Sequence, residues 1–233
     1  MVLYSIILTA SLFIVKKSAR QILVILAFFL ILVTWNVNSE RTLKSHREFI
    51  VFNIPGNAVY NYISPSGNLV ITPNNNDNEN IQNTLTFITE EFWLEHEATN
   101  PEFFSMKEQA MQKKNCYVRD NYMNFSGIRI LRINNDAYKN VSSSKKMKLD
   151  YIILSERSEI PVKKLSNLFS FRKIILDSSI SYYERQEWKE KLTKAKIPYH
   201  DVTQMGAFQL EIGKKTRKKF DYYPTRFFFV SLY

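Results

Sequence analysis

The fold of this chain is decided by residues 149–212, which read LDYIILSERSEIPVKKLSNLFSFRKIILDSSISYYERQEWKEKLTKAKIPYHDVTQMGAFQLEI. Residues 151–154 are a short apolar run without helical period, which is typical of a strand buried on both faces. Residues 173–176 form a second such run. Two more strands are predicted over residues 197–202 and 208–212, the last because apolar and polar residues alternate there.

Two helices are predicted between these strands. Pro161 suits the first position of a helix because its missing N–H would be unpaired there in any case, and apolar residues follow it at helical spacing. Ser181 and Glu184 have the spacing of a capping box, and the helix that they open is predicted to run to Ala195. Strands and helices alternate, so the segment is predicted to be an α/β unit.

Composition limits the class of protein. The chain has 233 residues, of which 45% are hydrophobic and 14% aromatic, enough to bury a core in one or two domains. The single cysteine, Cys116, excludes an intramolecular disulfide framework and a zinc site made mainly of thiolates, and is expected to be buried. A formal charge of +10 fits contact with nucleic acid or anionic lipid.

The N-terminus contains two apolar runs, residues 2–15 and 22–35, separated by the hexapeptide KKSARQ. They predict two membrane-spanning helices joined by a short cytoplasmic turn, because positive charge is retained on that side. The basic residues of the turn are Lys16, Lys17 and Arg20. A signal peptide and a buried helical hairpin of a soluble protein are the alternatives.

This topology predicts a multi-pass protein of the inner (cytoplasmic) membrane whose globular domain lies on the periplasmic or extracellular side. Three further cations argue for the opposite orientation, because they follow the second apolar run closely. They are Arg41, Lys44 and Arg47.

Between the membrane segments and the α/β unit, short alternating segments separated by turn residues predict a series of strands. These cover residues 49–53, 58–63, 69–72, 121–125 and 128–133. Apolar residues at helical spacing predict a helix over residues 78–97, and Pro101 is predicted to start another short helix. Residues 134–148 are polar and basic and are predicted to form a surface loop.

Two stretches carry a resemblance to a known family. Residues 173–208 read KIILDSSISYYERQEWKEKLTKAKIPYHDVTQMGAF, and residues 49–75 read FIVFNIPGNAVYNYISPSGNLVITPNN. Both resemble the C-terminal domain of ComEC-type competence proteins, in particular the Bacteroidetes-type branch. Those are membrane proteins that pass single-stranded DNA inward during natural transformation. The likeness runs in order over most of residues 49–212.

The resemblance implies a fold related to the metallo-β-lactamases. The predicted fold class is therefore α/β, with two N-terminal transmembrane helices followed by a partial, degenerate metallo-β-lactamase-like domain. The predicted boundaries are residues 1–37 for the membrane helices, 48–212 for the domain and 213–233 for a basic and aromatic tail.

The metal site of the metallo-β-lactamase fold is not expected here. That site needs the motif H-x-H-x-D-H, whereas the three histidines of this chain are His46, His96 and His200. Without the imidazole cluster neither a zinc pair nor its activated water is predicted, so no metal, no cofactor and no catalytic residue is assigned. His200 and Asp201 point to opposite faces of a strand, so His200 is predicted to be partly buried and hydrogen-bonded.

Two candidate binding sites remain. Asp177, Ser178 and Ser179 lie between the end of a strand and the start of a helix, where α/β folds bind anions, and capping of that helix is the simpler explanation. The tail combines cations with aromatics, a pairing typical of single-strand binders and of anionic membrane surfaces, although it also suits an added edge strand. The tail candidates are Lys214, Lys215, Arg217, Lys218, Lys219, Tyr222 and Tyr223.

The sequence therefore predicts a membrane-anchored, non-catalytic, ComEC-like C-terminal domain that contributes to DNA uptake. Only two apolar runs precede the domain, so the channel region of the family is missing and a separate polytopic channel protein is an expected partner. The expected partners also include the membrane and single-stranded DNA. The alternatives are a metal-dependent nuclease acting on incoming DNA and a structural envelope protein.

Overall fold

The structure is a computed structural model of the chain. It describes residues 47–73, 89–94, 98, 100–107, 110–135 and 137–213, together with the helical residues 27, 29 and 30. The chain divides into two units, Met1–Ser45 and His46–Tyr233. Apart from residues 27, 29 and 30, the predicted membrane helices lie outside the described residues. Within the described part of the chain, no helix combines the length and the apolar character needed to cross a membrane.

Strands and short helices, joined by turns and loops, make up the described part of the second unit. The strands are β1 (Glu48–Val51), β2 (Tyr60–Ser64), β3 (Gly67–Thr72), β4 (Pro101–Ser105), β5 (Met111–Lys113), β6 (Cys116–Arg119), β7 (Tyr122–Phe125), β8 (Ile128–Ile133), β9 (Met147–Lys148), β10 (Tyr151–Leu154), β11 (Phe169–Ser170), β12 (Lys173–Leu176), β13 (Tyr199–Asp201) and β14 (Phe208–Glu211). The helices are α1 (Val162–Leu168), α2 (Tyr182–Lys194) and α3 (Val202–Met205). Residues 89–94 are also helical.

The strands build two large sheets and one small one. The first sheet has the order β14-β1-β2-β3-β4, the second has the order β13-β12-β10-β8-β7-β6-β5, and β9 pairs with β11. In the second sheet β8, β10, β12 and β13 are parallel, while β5 to β8 form an antiparallel meander. The carboxyl ends of the four parallel strands therefore meet at one edge, here called the carboxyl edge, and their starts meet at the opposite amino edge.

Successive side chains of each strand point to opposite faces of its sheet, and this divides the core into layers. In β10, Ile153 packs between the two sheets, whereas Ile152 packs toward α1 and α2. In β1, Phe49 packs between the sheets, whereas Ile50 faces outward and shares a cluster with Trp93 of the helical residues 89–94. Helices therefore cover the outer faces of both sheets, and the fold is a sheet-rich, mixed α/β fold.

Helix α2 confirms the predicted capping box. The Ser181 hydroxyl accepts a hydrogen bond from the Glu184 amide, and the Glu184 carboxylate accepts one from the Ser181 amide. Trp188 and Leu192 of this helix are buried against the second sheet. A cap of this kind stabilises a helix by about 1 kcal/mol, and here it fixes where the helix starts relative to the end of β12.

Several sequence predictions need correction. Pro101 starts strand β4 and not a helix, because a proline without an N–H is tolerated at the first residue of an edge strand. The strand predicted over residues 197–202 is shorter, since Val202 already begins α3. Strands β5 and β6 were not predicted. Cys116 is buried, as expected, and burial raises its pKa to about 11.

Strand β14 does not continue the parallel sheet. After α3 the chain crosses to the first sheet, where β14 pairs antiparallel with β1. Phe208 and Ile212 are buried between the sheets, and Gln209 is exposed, as the predicted alternation requires. The α/β unit therefore contributes its last strand to the sheet that the N-terminal hairpins build.

Candidate functional site at the carboxyl edge

The ends of the parallel strands bring together a buried polar cluster. Ser155 follows β10 and Asp177 follows β12, so the parallel register places these residues side by side. Tyr60 of β2 lies in the facing sheet, and its hydroxyl donates to Asp177 Oδ2 at 2.8 Å. The Ser155 hydroxyl donates to the same oxygen. All three residues are fully buried, so the cluster joins the two sheets in the interior.

The second carboxylate oxygen of Asp177 is also occupied. Its Oδ1 accepts from the Ser179 amide at 3.1 Å and from the Ser179 hydroxyl at 2.6 Å. Burial raises the pKa of Asp177, while the hydrogen bonds from Ser155, Ser179 and Tyr60 oppose that rise. Burial and the nearby Asp177 carboxyl raise the pKa of Tyr60.

Arg132 of β8 supports the cluster from the neighbouring strand. Its Nε donates to the Ser155 hydroxyl at 2.9 Å, and its guanidinium also reaches Asn121 Oδ1 at 3.3 Å. Arg132 is buried. Its positive charge stabilises the ionised carboxyl of Asp177, since it lowers the pKa of that group against the effect of burial.

Ser178 holds the loop between β1 and β2. Its hydroxyl accepts from the Ile54 amide at 3.1 Å and lies 2.9 Å from the Asn57 carbonyl, to which it can donate. The Gly56 amide donates to the Ser178 carbonyl at 3.2 Å. Gly56 has φ +73°, a conformation that glycine adopts without strain. Ser178 therefore ties the first sheet to the end of β12.

The structure thus places the three predicted anion-binding residues together, with Asp177 and Ser178 buried and Ser179 half-buried. Their side-chain oxygens bind groups of the protein. The alternative that they cap α2 is wrong, because Ser181 caps that helix. Anion binding at Asp177, Ser178 and Ser179 stays a prediction, and the contacts favour a structural role.

A buried ion pair extends this cluster to β13. Arg185 of α2 donates from Nη2 to the carbonyls of Asp177 and Ile180, at 3.1 and 2.7 Å. Its Nε lies 3.7 Å from Asp201 Oδ1, which also accepts from the Thr203 amide at 3.1 Å and so caps α3. Within the described residues, Arg185 Nε and Asp201 Oδ2 are buried without a hydrogen-bond partner.

His200 points away from this cluster, as predicted for the neighbour of Asp201 on a strand. It is half-buried, its Nε2 lies 3.0 Å from the Gly206 carbonyl, and its ring meets Phe208 edge-on at 5.3 Å between centroids. Burial lowers the pKa of His200. The imidazole therefore fixes the turn into β14, which confirms the prediction of a partly buried, hydrogen-bonded histidine.

The donors at the carboxyl edge do not fit the zinc pair that the sequence resemblance to the metallo-β-lactamases implies. Both oxygens of Asp177 already accept hydrogen bonds from protein groups, and a guanidinium lies beside Asp201. Among the residues that the structure describes, no group of three or more His, Cys, Asp or Glu side chains is placed to hold a metal ion. We derive no chemistry from a metal at this edge.

Sequence reasoning identified only part of the cluster. Tyr60, Ser155 and Arg132 were not predicted, because each contributes through a contact distant in sequence. The burial of Arg185 could have been predicted from the sequence. Arg185, Trp188 and Leu192 are spaced i, i+3 and i+7 and so share the apolar face of the helix, which is unusual for an arginine.

The tail candidates cannot be compared with the structure. The described chain ends at Gly213, so these residues lie outside it: Lys214, Lys215, Arg217, Lys218, Lys219, Tyr222 and Tyr223. Their role stays a prediction.

Comparison with known proteins identifies the family. No curated protein matches this chain. Among solved structures, the chain is similar to the metallo-β-lactamase fold protein YhfI from Bacillus subtilis, with a TM-score of 0.41 and 9% identity over 71% of this chain and 99% of that one. Residues 49–212 match the family of the ComEC C-terminal domain. The Bacteroidetes-type branch stays a prediction. The matched residues make up more than half of the sequence, and the chain belongs to the ComEC C-terminal domain family.

Proposed function

We propose that this chain is a membrane-anchored, non-catalytic ComEC-like domain that contributes to DNA uptake in natural competence. The observation that carries the proposal is the family match over residues 49–212, which covers nearly all of the described two-sheet fold. The net charge of +10 supports it, because a polyanionic partner is attracted to a basic protein.

The non-catalytic part of the proposal rests on the chemistry of the side chains. The sequence has three histidines, and the described one, His200, bonds a backbone carbonyl. Asp177 is enclosed by hydrogen-bond donors in the core. Purified protein is expected to contain no stoichiometric zinc and to leave single-stranded DNA intact. Two tightly bound metal ions per chain, measured by elemental analysis, would favour the nuclease alternative.

The anchoring part rests on the apolar runs at residues 2–15 and 22–35 and the basic hexapeptide between them. We place the domain on the non-cytoplasmic side of the inner membrane, with a separate polytopic channel protein as its partner. The full chain is expected in the membrane fraction of cells and to need detergent for extraction. Recovery in the soluble fraction without detergent would contradict the anchoring.

The DNA-binding part rests on the tail, where five cations precede a pair of tyrosines. Neutralising the cations is expected to flatten the salt dependence of oligonucleotide binding, since each phosphate contact on a single strand contributes about 0.7 to the slope of log K against log salt. Five contacts amount to roughly 3.5. The residues to neutralise are Lys214, Lys215, Arg217, Lys218 and Lys219.

A second variant separates stacking from charge. Replacing Tyr222 and Tyr223 with alanine is expected to weaken binding by about 1 to 3 kcal/mol per stacked base and to leave the salt slope unchanged. If both variants bind DNA like the parent chain and are less stable, the tail packs on the domain. If the cationic variant loses only liposome binding, the tail binds lipid.

A further inference from the structure

The amino edge of the second sheet contrasts with the buried cluster at the other edge. The turns β5–β6 and β7–β8 lie here, as do the starts of β8, β10 and β12. The described domain also begins and ends at this edge, because the Ile212 amide donates to the Arg47 carbonyl at 2.7 Å. Gly213, the last described residue and the one that precedes the basic tail in sequence, therefore lies at the amino edge.

A groove of about 480 Å³ opens at this edge, between the two turns and the start of β1. Its lining offers a guanidinium, an ammonium, side-chain amides, a hydroxyl and an aromatic ring. The residues that provide these groups are Arg47, Lys113, Asn115, Tyr117, Asn124 and Ser126. The combination suits a ligand that carries both negative charge and planar hydrogen-bonding groups.

Arg47 carries the positive charge of the groove. Lys113 forms an ion pair with Glu102, whereas no described residue gives the Arg47 guanidinium a hydrogen bond or an ion pair. A Cβ built on Gly213 would lie 3.8 Å from Arg47 Nη1, so the guanidinium lies beside the end of β14. A half-buried guanidinium that has no acceptor in the described part of the chain is suited to bind a phosphate.

A basic strip continues from the groove along the strand starts. Arg129 at the start of β8 and Arg172 just before β12 share a single carboxylate, Asp150, at 3.5 and 3.3 Å. Lys148 between them in sequence is exposed. One carboxylate cannot neutralise two guanidinium groups, so the strip keeps a positive charge. Adjacent strands are about 4.8 Å apart, and the four steps from β12 to β6 therefore span about 19 Å.

We propose that the groove and this strip form a binding site for the backbone of single-stranded nucleic acid, with Tyr117 as a stacking surface for a base. The inference rests on the proposed function, in which the chain binds single-stranded DNA. It places a second binding site on the folded domain, in addition to the one proposed on the tail. Nucleic acid is favoured over anionic lipid because the residues that line the groove add side-chain amides and the half-buried Tyr117 to its cations, and bases offer hydrogen-bonding edges and faces to such groups.

The test uses the full chain in mild detergent and a fluorescein-labelled dT20 oligonucleotide, with anisotropy measured over a range of salt concentrations. Arg47→Gln is expected to weaken binding about tenfold and to reduce the salt slope by about 0.7, because one phosphate contact is lost. The matched control is Arg157→Gln, the same change at an exposed arginine of the carboxyl edge, which is expected to bind like the parent.

Tyr117→Ala provides the complementary measurement, since loss of stacking is expected to weaken binding without changing the salt slope. A crosslinking experiment covers the case in which a variant fails to fold. The parent chain is irradiated with a bromodeoxyuridine-substituted oligonucleotide, and the crosslinked peptide is expected to contain residues 111–127. Crosslinks confined to residues 214–233 would overturn the groove site.

The outcomes separate this inference from the proposed function. If the parent chain binds dT20 and Arg47→Gln binds equally well, the groove site is wrong and the tail proposal stands. If Arg47→Gln instead loses binding to phosphatidylserine vesicles with dT20 binding unchanged, the groove binds lipid and the inference is overturned. If the parent chain does not bind dT20, the DNA-binding part of the proposed function fails and the groove site fails with it.

Discussion

Asp177 at the carboxyl edge is fully buried and accepts four hydrogen bonds, whereas Arg47 at the amino edge is half-buried and has no acceptor among the described residues. Both edges belong to the same sheet and both concentrate polar groups. They differ because the first sheet supplies Tyr60 and the β1–β2 loop to cover the carboxyl edge, while the first and last described residues of the domain lie at the amino edge. A cluster of polar residues at the carboxyl ends of parallel strands is therefore insufficient evidence for a binding site.

The comparison predicts that stability depends on the carboxyl edge. Asp177→Ala removes the acceptor of Tyr60, Ser155 and Ser179 and leaves buried hydroxyls without a partner, so it is expected to lower the free energy of unfolding by about 3 kcal/mol. Urea unfolding of the full chain in detergent measures this. Glu190→Ala is the control, since Glu190 is exposed on α2 and its replacement is expected to change stability by less than about 0.5 kcal/mol. Equal effects of the two variants would contradict the comparison.

The same substitution, serine to alanine, can be made at both edges of the sheet to compare their contributions to stability. Ser178→Ala removes the contacts to Ile54 and Asn57 that hold the β1–β2 loop, and is expected to cost about 2 kcal/mol. Ser126→Ala at the groove removes one half-buried hydrogen bond to Tyr62, and is expected to cost about 0.5 to 1 kcal/mol. Urea unfolding compares the two variants, and the midpoint concentration of urea is expected to be lower for Ser178→Ala than for Ser126→Ala. The reverse order would mean that the amino edge is the more tightly packed one.

The pH dependence of stability tests the role of His200, which lies outside the carboxyl-edge cluster and fixes the turn into β14. Burial lowers the pKa of His200 in the folded state, so the unfolded state binds the proton more readily. The contribution of this residue to stability is therefore present above its ordinary pKa of about 6.5 and is lost as the pH falls through the folded pKa. Compared with the parent, His200→Gln is expected to reduce the loss of unfolding free energy between neutral pH and pH 5, and an unchanged slope would show that other groups cause it.

The smallest effect on stability is expected at the groove. Arg47→Gln removes a charge that has no partner among the described residues, so the free energy of unfolding is expected to change by less than about 0.5 kcal/mol, although oligonucleotide binding weakens. Thermal unfolding of the parent and the variant, at matched protein and detergent concentrations, gives the comparison. A destabilisation above 1 kcal/mol would mean that Arg47 packs as part of the fold and does not belong to an open site.

Much of the fold follows from local sequence. The runs at residues 151–154 and 173–176, the capping box at Ser181 and Glu184, and the hairpin around residues 126–127 all appear where the sequence predicts them. These features depend on periodicity and on contacts within a few residues, which a sequence shows directly. The family resemblance over residues 49–212 also came from the sequence and is confirmed.

The tertiary structure alone decided which polar residues are enclosed. Tyr60 meets Asp177 across 117 positions of sequence, and Ile54 meets Ser178 across 124. No local pattern reports such a pairing, because it depends on how one sheet packs on another. The same packing encloses the Asp177 carboxylate among hydrogen-bond donors, and it places two turns of the second sheet beside Arg47 to form a groove that no sequence motif indicates. Sequence thus predicted most strands and helices of the α/β unit, and the packing of the sheets decided which polar residues are enclosed.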